Sequence, residues 1–116
     1  MTIQYKNQGF KQADTAKATV LTCPTDAAII VKSVYCANND ASSAIVVNMN
    51  FVDSSDSNTE YEFFRDDVAA KSQVNASPQG LNLEAGDAIT VTAATGSNKI
   101  QGAISYALID RSQQNG

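Results

Sequence analysis

The stretch "SAIVVNMNFV", residues 43–52, decides the fold. Ile45, Val47, Met49 and Phe51 alternate along it, with Asn48 and Asn50 in between, which is the period of a strand that buries one face and wets the other. A helix would scatter the same four side chains around its circumference. Residues 89–94 repeat the pattern, with Ile89, Val91 and Ala93 inward and Thr90 and Thr92 outward. In "KIQGAISYALI", residues 99–109, the shared face is Ile100, Ile104, Tyr106 and Leu108. "TEYEFFRD", residues 59–66, sets Tyr61 and Phe63 on one side. Strands are also expected over 16–23 and 27–37, with a short one near 72–75. Only "DVAAKSQ", residues 67–73, offers a helical turn, and it is too short to stand unaided.

The punctuation agrees. "NNDASS", "DSSDSN" and "TGSN" are built from turn formers, and "CPTD", residues 23–26, has proline where a type I turn wants it. That turn predicts a hairpin between 16–23 and 27–37, with Cys23 opposite Ala28 and Cys36 opposite Thr15. About seven short strands spaced roughly ten to twelve residues apart predict an all-β, antiparallel β-sandwich of jelly-roll type. Its expected core is Val20, Val31, Ile45, Val47, Met49, Phe51, Tyr61, Phe63, Leu83, Ile89, Val91, Ile104 and Tyr106, and Tyr35 is placed inward as well. Residues 1–17 are polar and weakly periodic, so they read as an extended N-terminal arm before a sandwich domain over 18–116.

Charge narrows the function. The chain has 8 basic and 12 acidic residues, a net charge of −4. Lys6, Lys11 and Lys17 against Asp14 give the first twenty residues +2, which leaves −6 for the rest. Affinity for phosphates is built from clustered Lys and Arg, so an acidic body argues against nucleic acid. No apolar run is long enough for a membrane helix, and "MTIQYKNQGF" lacks the basic-then-apolar order of a secretion signal. A cytoplasmic site of synthesis is therefore expected, with Cys23 and Cys36 both free.

Chemistry finds little to work with. Nucleophilic catalysis needs an activating base, and the chain has no histidine. The carboxylate pairs Glu84 with Asp87 and Glu60 with Glu62 invite comparison with glycosidases, but hydrophilic turns and outward strand positions do not split a pair of pKa values. Glu84 and Asp87 read as parts of a solvated turn at Gly86. The loop "DSSDSNTE", residues 53–60, is the best metal candidate, yet it lacks the EF-hand order and its composition is that of a turn. No enzyme activity, metal or cofactor is expected. Phe10, isolated among polar residues, and Phe64, opposite in phase to Phe63, are candidate partner contacts.

The order of motifs has a likeness. Turn "CPTD", strands "AAIIVKSVYCANND" and "AIVVNMNFVD", then "GLNLEAGDAITVTAATGSNKIQGAISYALID" resemble small tailed-phage virion proteins and fibre modules, over residues 20–110. Those proteins carry a Pro-Ala-Gly-type turn where Pro24, Thr25 and Asp26 stand here, and a Leu-x-Ala-Gly-Asp turn before two closing strands. The resemblance implies a structural protein of the virion, assembled in the host cytoplasm. One form is a capsid decoration or cement protein, trimeric, bound to the major capsid protein through Lys6, Phe10, Lys11 and Lys17 of the arm. The other is a tail, neck or fibre adaptor, or a receptor-binding (carbohydrate-binding) module.

Overall fold

The structure, a computed structural model, describes residues 2–111. The expected domain bounds at residue 1 and over 112–116 lie outside the described residues. The strands are β1 (Thr2–Lys11), β2 (Ala18–Thr22), β3 (Ala27–Asn38), β4 (Ile45–Asp53), β5 (Thr59–Val68), β6 (Ser72–Asn75), β7 (Asn82–Leu83), β8 (Ala88–Ala93) and β9 (Ile100–Asp110). Among the described residues the sole helical element is a 3-10 turn, Ser54–Asp56. The run over 67–73, too short to stand unaided as a helix, forms none: Asp67 and Val68 finish β5, and Ser72 opens the short strand β6 where a strand near 72–75 is expected.

One sheet runs β1-β9-β3-β6, with β7 also on β3, and the other runs β2-β8-β4-β5. All pairings are antiparallel. If β6 and β7 are taken as one interrupted strand, every connection but the β4–β5 hairpin and the β6–β7 link crosses between sheets. This is the two-sheet Greek-key arrangement of a jelly roll, so the sandwich expectation holds.

The "CPTD" turn exists, Ala27 N–H donating to the Pro24 carbonyl at 3.3 Å, but it closes no hairpin. It carries the chain from one sheet to the other, because β2 pairs with β8 and β3 pairs with β9. Cys23 therefore bonds across to the β7–β8 turn, its N–H donating to Asp87 O at 2.8 Å and its carbonyl accepting from Gly86 at 3.0 Å. Cys23 and Cys36 are free, and both are buried.

The segment read as an arm is extended but not loose. Strand β1 pairs residue by residue with β9, from Thr2↔Asp110 to Lys11↔Gln101. It is exposed along its length except at Phe10, 8% exposed and part of the core. The core thus does not lie wholly beyond the first seventeen residues. Phe10 fits because its partner, Gly102, has no side chain: a Cβ there would come within 2.5 Å of Phe10 Cζ and 2.0 Å of the Tyr35 carbonyl oxygen.

Of the expected core, Val31, Ile45, Val47, Met49, Leu83, Ile89, Val91, Ile104 and Tyr106 are buried, while Val20, Phe51 and Phe63 pack against it half-buried. Tyr61 is corrected to the surface. It pairs with Phe51 on β5, the sheet's last strand, and its ring stacks on that of Phe51 with centroids 6.3 Å apart but stays exposed. Tyr35 is corrected too. The ladder slips at Lys32, Val31 pairing with Tyr106 and Ser33 with Ser105, and this extra residue reverses the phase of the rest of β3. Val34 and Cys36 turn in, and Tyr35 turns out.

Two measurements test this packing. Gly102→Ala should lower unfolding stability by about 3 kcal/mol, because the new methyl meets backbone as well as a ring; an unchanged denaturation midpoint would refute the close approach. The second concerns Cys36, whose thiol burial pushes up to about 11 from 9.0. A folded-state pKa above the unfolded one means that stability is intact below pH 9 and is lost as pH rises toward 11. Denaturant melts across that window should therefore fall more steeply for the native protein than for Cys36→Ala.

Candidate interaction surface

Turn chemistry places Asp87, but not in solvent. Gly86 takes a φ of +85°, which lets the chain reverse between β7 and β8. The reversal leaves Glu84 exposed and turns Asp87 inward, 2% exposed. Its carboxylate accepts from Glu84 N at 2.8 Å, Ser54 N at 2.9 Å and Ser54 Oγ at 3.0 Å. The expectation of a solvated aspartate is therefore corrected: Asp87 fastens the β4–β5 connection to the β7–β8 turn, and these three bonds are structural. The same charge, after burial, helps to raise the Cys23 thiol pKa.

Glu60 and Glu62 are neighbours on the outer face of the four-stranded sheet, within a polar ladder. Asn48 Nδ2 donates to Glu62 Oε1, as does Arg65 Nε at 2.8 Å. Glu60 pairs with Lys17 and also accepts from Thr90 at 3.3 Å and Asn50 at 3.4 Å. The Lys17 hydrogen bond holds the Glu60 carboxyl below its ordinary range. Glu60 is thus kept in the charged form, with nothing beside it that would hold a proton there for general-acid work. In the loop over 53–60, Asp53 Oδ1 caps Ser55 N at 3.1 Å and Asp56 Oδ2 takes the Tyr61 hydroxyl at 2.7 Å. No group of three or more His, Cys, Asp or Glu suited to a metal occurs among the described residues.

The partner-contact candidates fall apart spatially. Phe10 is internal, and Lys17 is engaged with Glu60 on the four-stranded sheet. Phe64 is half-buried against the core, as Phe63 is, because the β4–β5 ladder slips there: Met49 pairs with Phe64 and Asn50 with Glu62, so Phe63 is the extra residue. Lys6 pairs with Tyr106 on the sandwich side of β1 and is exposed. Lys11 lies beside Gly9, Ala37 and Asn39 on the wall of an open depression of about 530 Å³.

Sequence reading missed the surface that the register assembles. Strand β1 is amphipathic in the reverse sense, with Gln4 and Lys6 toward the sandwich side and Ile3 and Tyr5 away from it. In cross-strand rows, Tyr5 lies beside Ala107 and Ile30, and Ile3 beside Ile109 and Ala28. Tyr5 is 75% exposed, Ile3 54%, Tyr35 47% and Ile30 44%. All four belong to the outer face of the five-stranded sheet. Lys32, the extra residue in β3, reaches over the Tyr5 ring with Nζ 4.7 Å from its centroid, a cation–π contact that orders both. The signal in the sequence was Ile3 and Tyr5 alternating with Gln4 and Lys6, a strand pattern in what reads as an arm.

No family model matches the chain, and no curated protein matches it in sequence. Its fold does have solved likenesses. It is similar to a chain of the acidic stable capsid structure of Helicobacter pylori bacteriophage KHP30, with a TM-score of 0.61 and 17% identity over 97% of this chain and 90% of that one. It is also similar to a chain of the virus-like particle of the Macrobrachium rosenbergii extra small virus, with a TM-score of 0.58 and 12% identity over 97% and 80% of the two chains. A chain of the Bacillus endospore appendages, which form disulfide-linked pili, matches at 0.51 and 14% identity over 95% and 88%. At these identities the likeness is one of fold.

Proposed function

We propose that the chain is a structural protein of a tailed-phage virion, and within it a decoration (cement) protein that binds the outer surface of the head and stabilises it. The observation that carries this reading is where the exposed apolar side chains lie. Ile3, Tyr5, Ile30 and Tyr35 sit on an open sheet face, and none of them lines the depression beside Lys11, which suits contact with another protein and not capture of a small substrate. The jelly-roll topology supports it, since viral capsid domains recur on this arrangement, and so do the likenesses to chains of two viral particles.

The partner in this reading is the major capsid protein, and the working form is a trimer. Among the described residues, β1 and β5 each present a ten-residue edge with no further strand paired to it, and such edges tend to be covered in an assembly. Lys6 and Lys11 supply charge at one of them. No catalytic step is assigned, because the acids best placed for one are occupied by structural hydrogen bonds. The finished protein resides in the virion after assembly in the host cytoplasm.

The test uses emptied, expanded heads of the virus that carries the gene. The full-length protein should sediment with them, saturate at a fixed number of copies per head and raise the temperature at which they break. Protein that stays in the supernatant with heads but sediments with isolated tails would replace the decoration reading with a tail or fibre role.

A further inference from the structure

The two outer faces of the sandwich are oppositely endowed. On the five-stranded sheet, the strand positions that point outward carry Lys11 and Lys32, and no Asp or Glu occurs among those described residues. Four large side chains stand exposed there, and small residues such as Gly9, Ala37 and Ala103 floor the rest. On the four-stranded sheet, Glu60, Glu62 and Asp67 share the outward rows with Asn48, Asn50 and Arg65, and Lys17 lies against Glu60, which leaves three carboxylates against two cations and a face still net negative. That face is hydrated and acidic, and its Glu60 and Glu62 carboxylates are satisfied within the chain.

We infer that the outer face of the five-stranded sheet is the docking face, and that it takes a protein surface with an apolar centre and carboxylates at its margin. The acidic face of the four-stranded sheet then points to solvent. The inference rests on the decoration reading only for the identity of that surface as the shell exterior. Charge complementarity selects the partner's chemistry: an apolar field with lysines and no carboxylate repels a basic surface and attracts an acidic one. It also argues against a second copy. Two docking faces related by a twofold would bring like charges together, whereas docking onto the acidic face of another copy would repeat head to tail into a filament. Lys32, braced on Tyr5, presents an ordered cation next to the largest apolar group, which lowers the entropy lost on contact.

Binding to expanded heads by four forms of the full-length protein tests this. Ile3→Ser with Tyr5→Ser removes two exposed apolar groups and leaves the core untouched. Lys32→Glu reverses the charge on the same face. Val46→Ser removes an exposed apolar group from the opposite face. The double variant should bind at least about thirtyfold more weakly than the native protein. Lys32→Glu should bind about tenfold more weakly at low salt, with the difference shrinking as salt is added, and Val46→Ser should bind as the native protein does. Circular dichroism and unfolding midpoints confirm that each form is folded.

If native protein binds but the docking-face variants bind equally well, the inference fails and the decoration reading stands. If Val46→Ser is the weakened form, the orientation is reversed. If the double variant instead abolishes self-association of the protein alone, the face belongs to a second copy and the inference is overturned. Native protein that ignores heads overturns the decoration reading together with the shell as occupant.

Discussion

Strand β9 holds β1 on one edge and β3 on the other along almost its entire length, and the five-stranded sheet depends on that double pairing. Each side makes a different demand on its side chains. Toward the core it must fill space, which Ile100, Ile104 and Tyr106 do. At Gly102 it must leave space, because Phe10 comes across from β1 to close that end of the core. The one inward anchor of β1 is therefore set by an absent side chain on its neighbour. Backbone pairing supplies the remaining attachment, and that is how a strand so polar on its sandwich side can remain in the sheet.

Where the ladder is regular, alternation alone predicts the inward face, and Ile45, Val47, Met49, Ile89 and Val91 fall where the two-residue period sends them. Errors cluster at ladder slips. The extra residue at Lys32 turns Tyr35 outward, and the one at Phe63 lets both phenylalanines of that pair reach the core. A period counted along one strand cannot register a slip, which is defined only against the partner strand. Sheet membership was equally hidden. "CPTD" has the composition of a turn whether the strands beside it pair or part, and what separates them is the competition of β8 and β9 for their edges.

The candidate surface was legible only in fragments. Lysine counting found the basic character of the first residues, but it could not foresee that Lys17 answers Glu60 on one sheet while Lys11 stands on the other. Asp87 shows the same limit. Its neighbours in sequence describe a hydrophilic turn, and its burial comes from Ser54, thirty-three positions away. A reading that judges residues by their sequence neighbours assigns such groups to solvent, and only pairing and crossing between sheets reveal which are inside.

The pairing of β1 with β9 also has a consequence in time. Thr2 meets Asp110 and Lys11 meets Gln101, so β1 must wait until β9 has been made before it has that partner. Throughout that interval Ile3 and Tyr5 ride on an open strand that any other exposed edge can capture. Contacts so distant along the chain slow folding, and a newly made chain is correspondingly exposed to wrong pairing with its neighbours. Lys6 and Lys11, the only charges on that strand, repel their counterparts on other nascent chains during the wait.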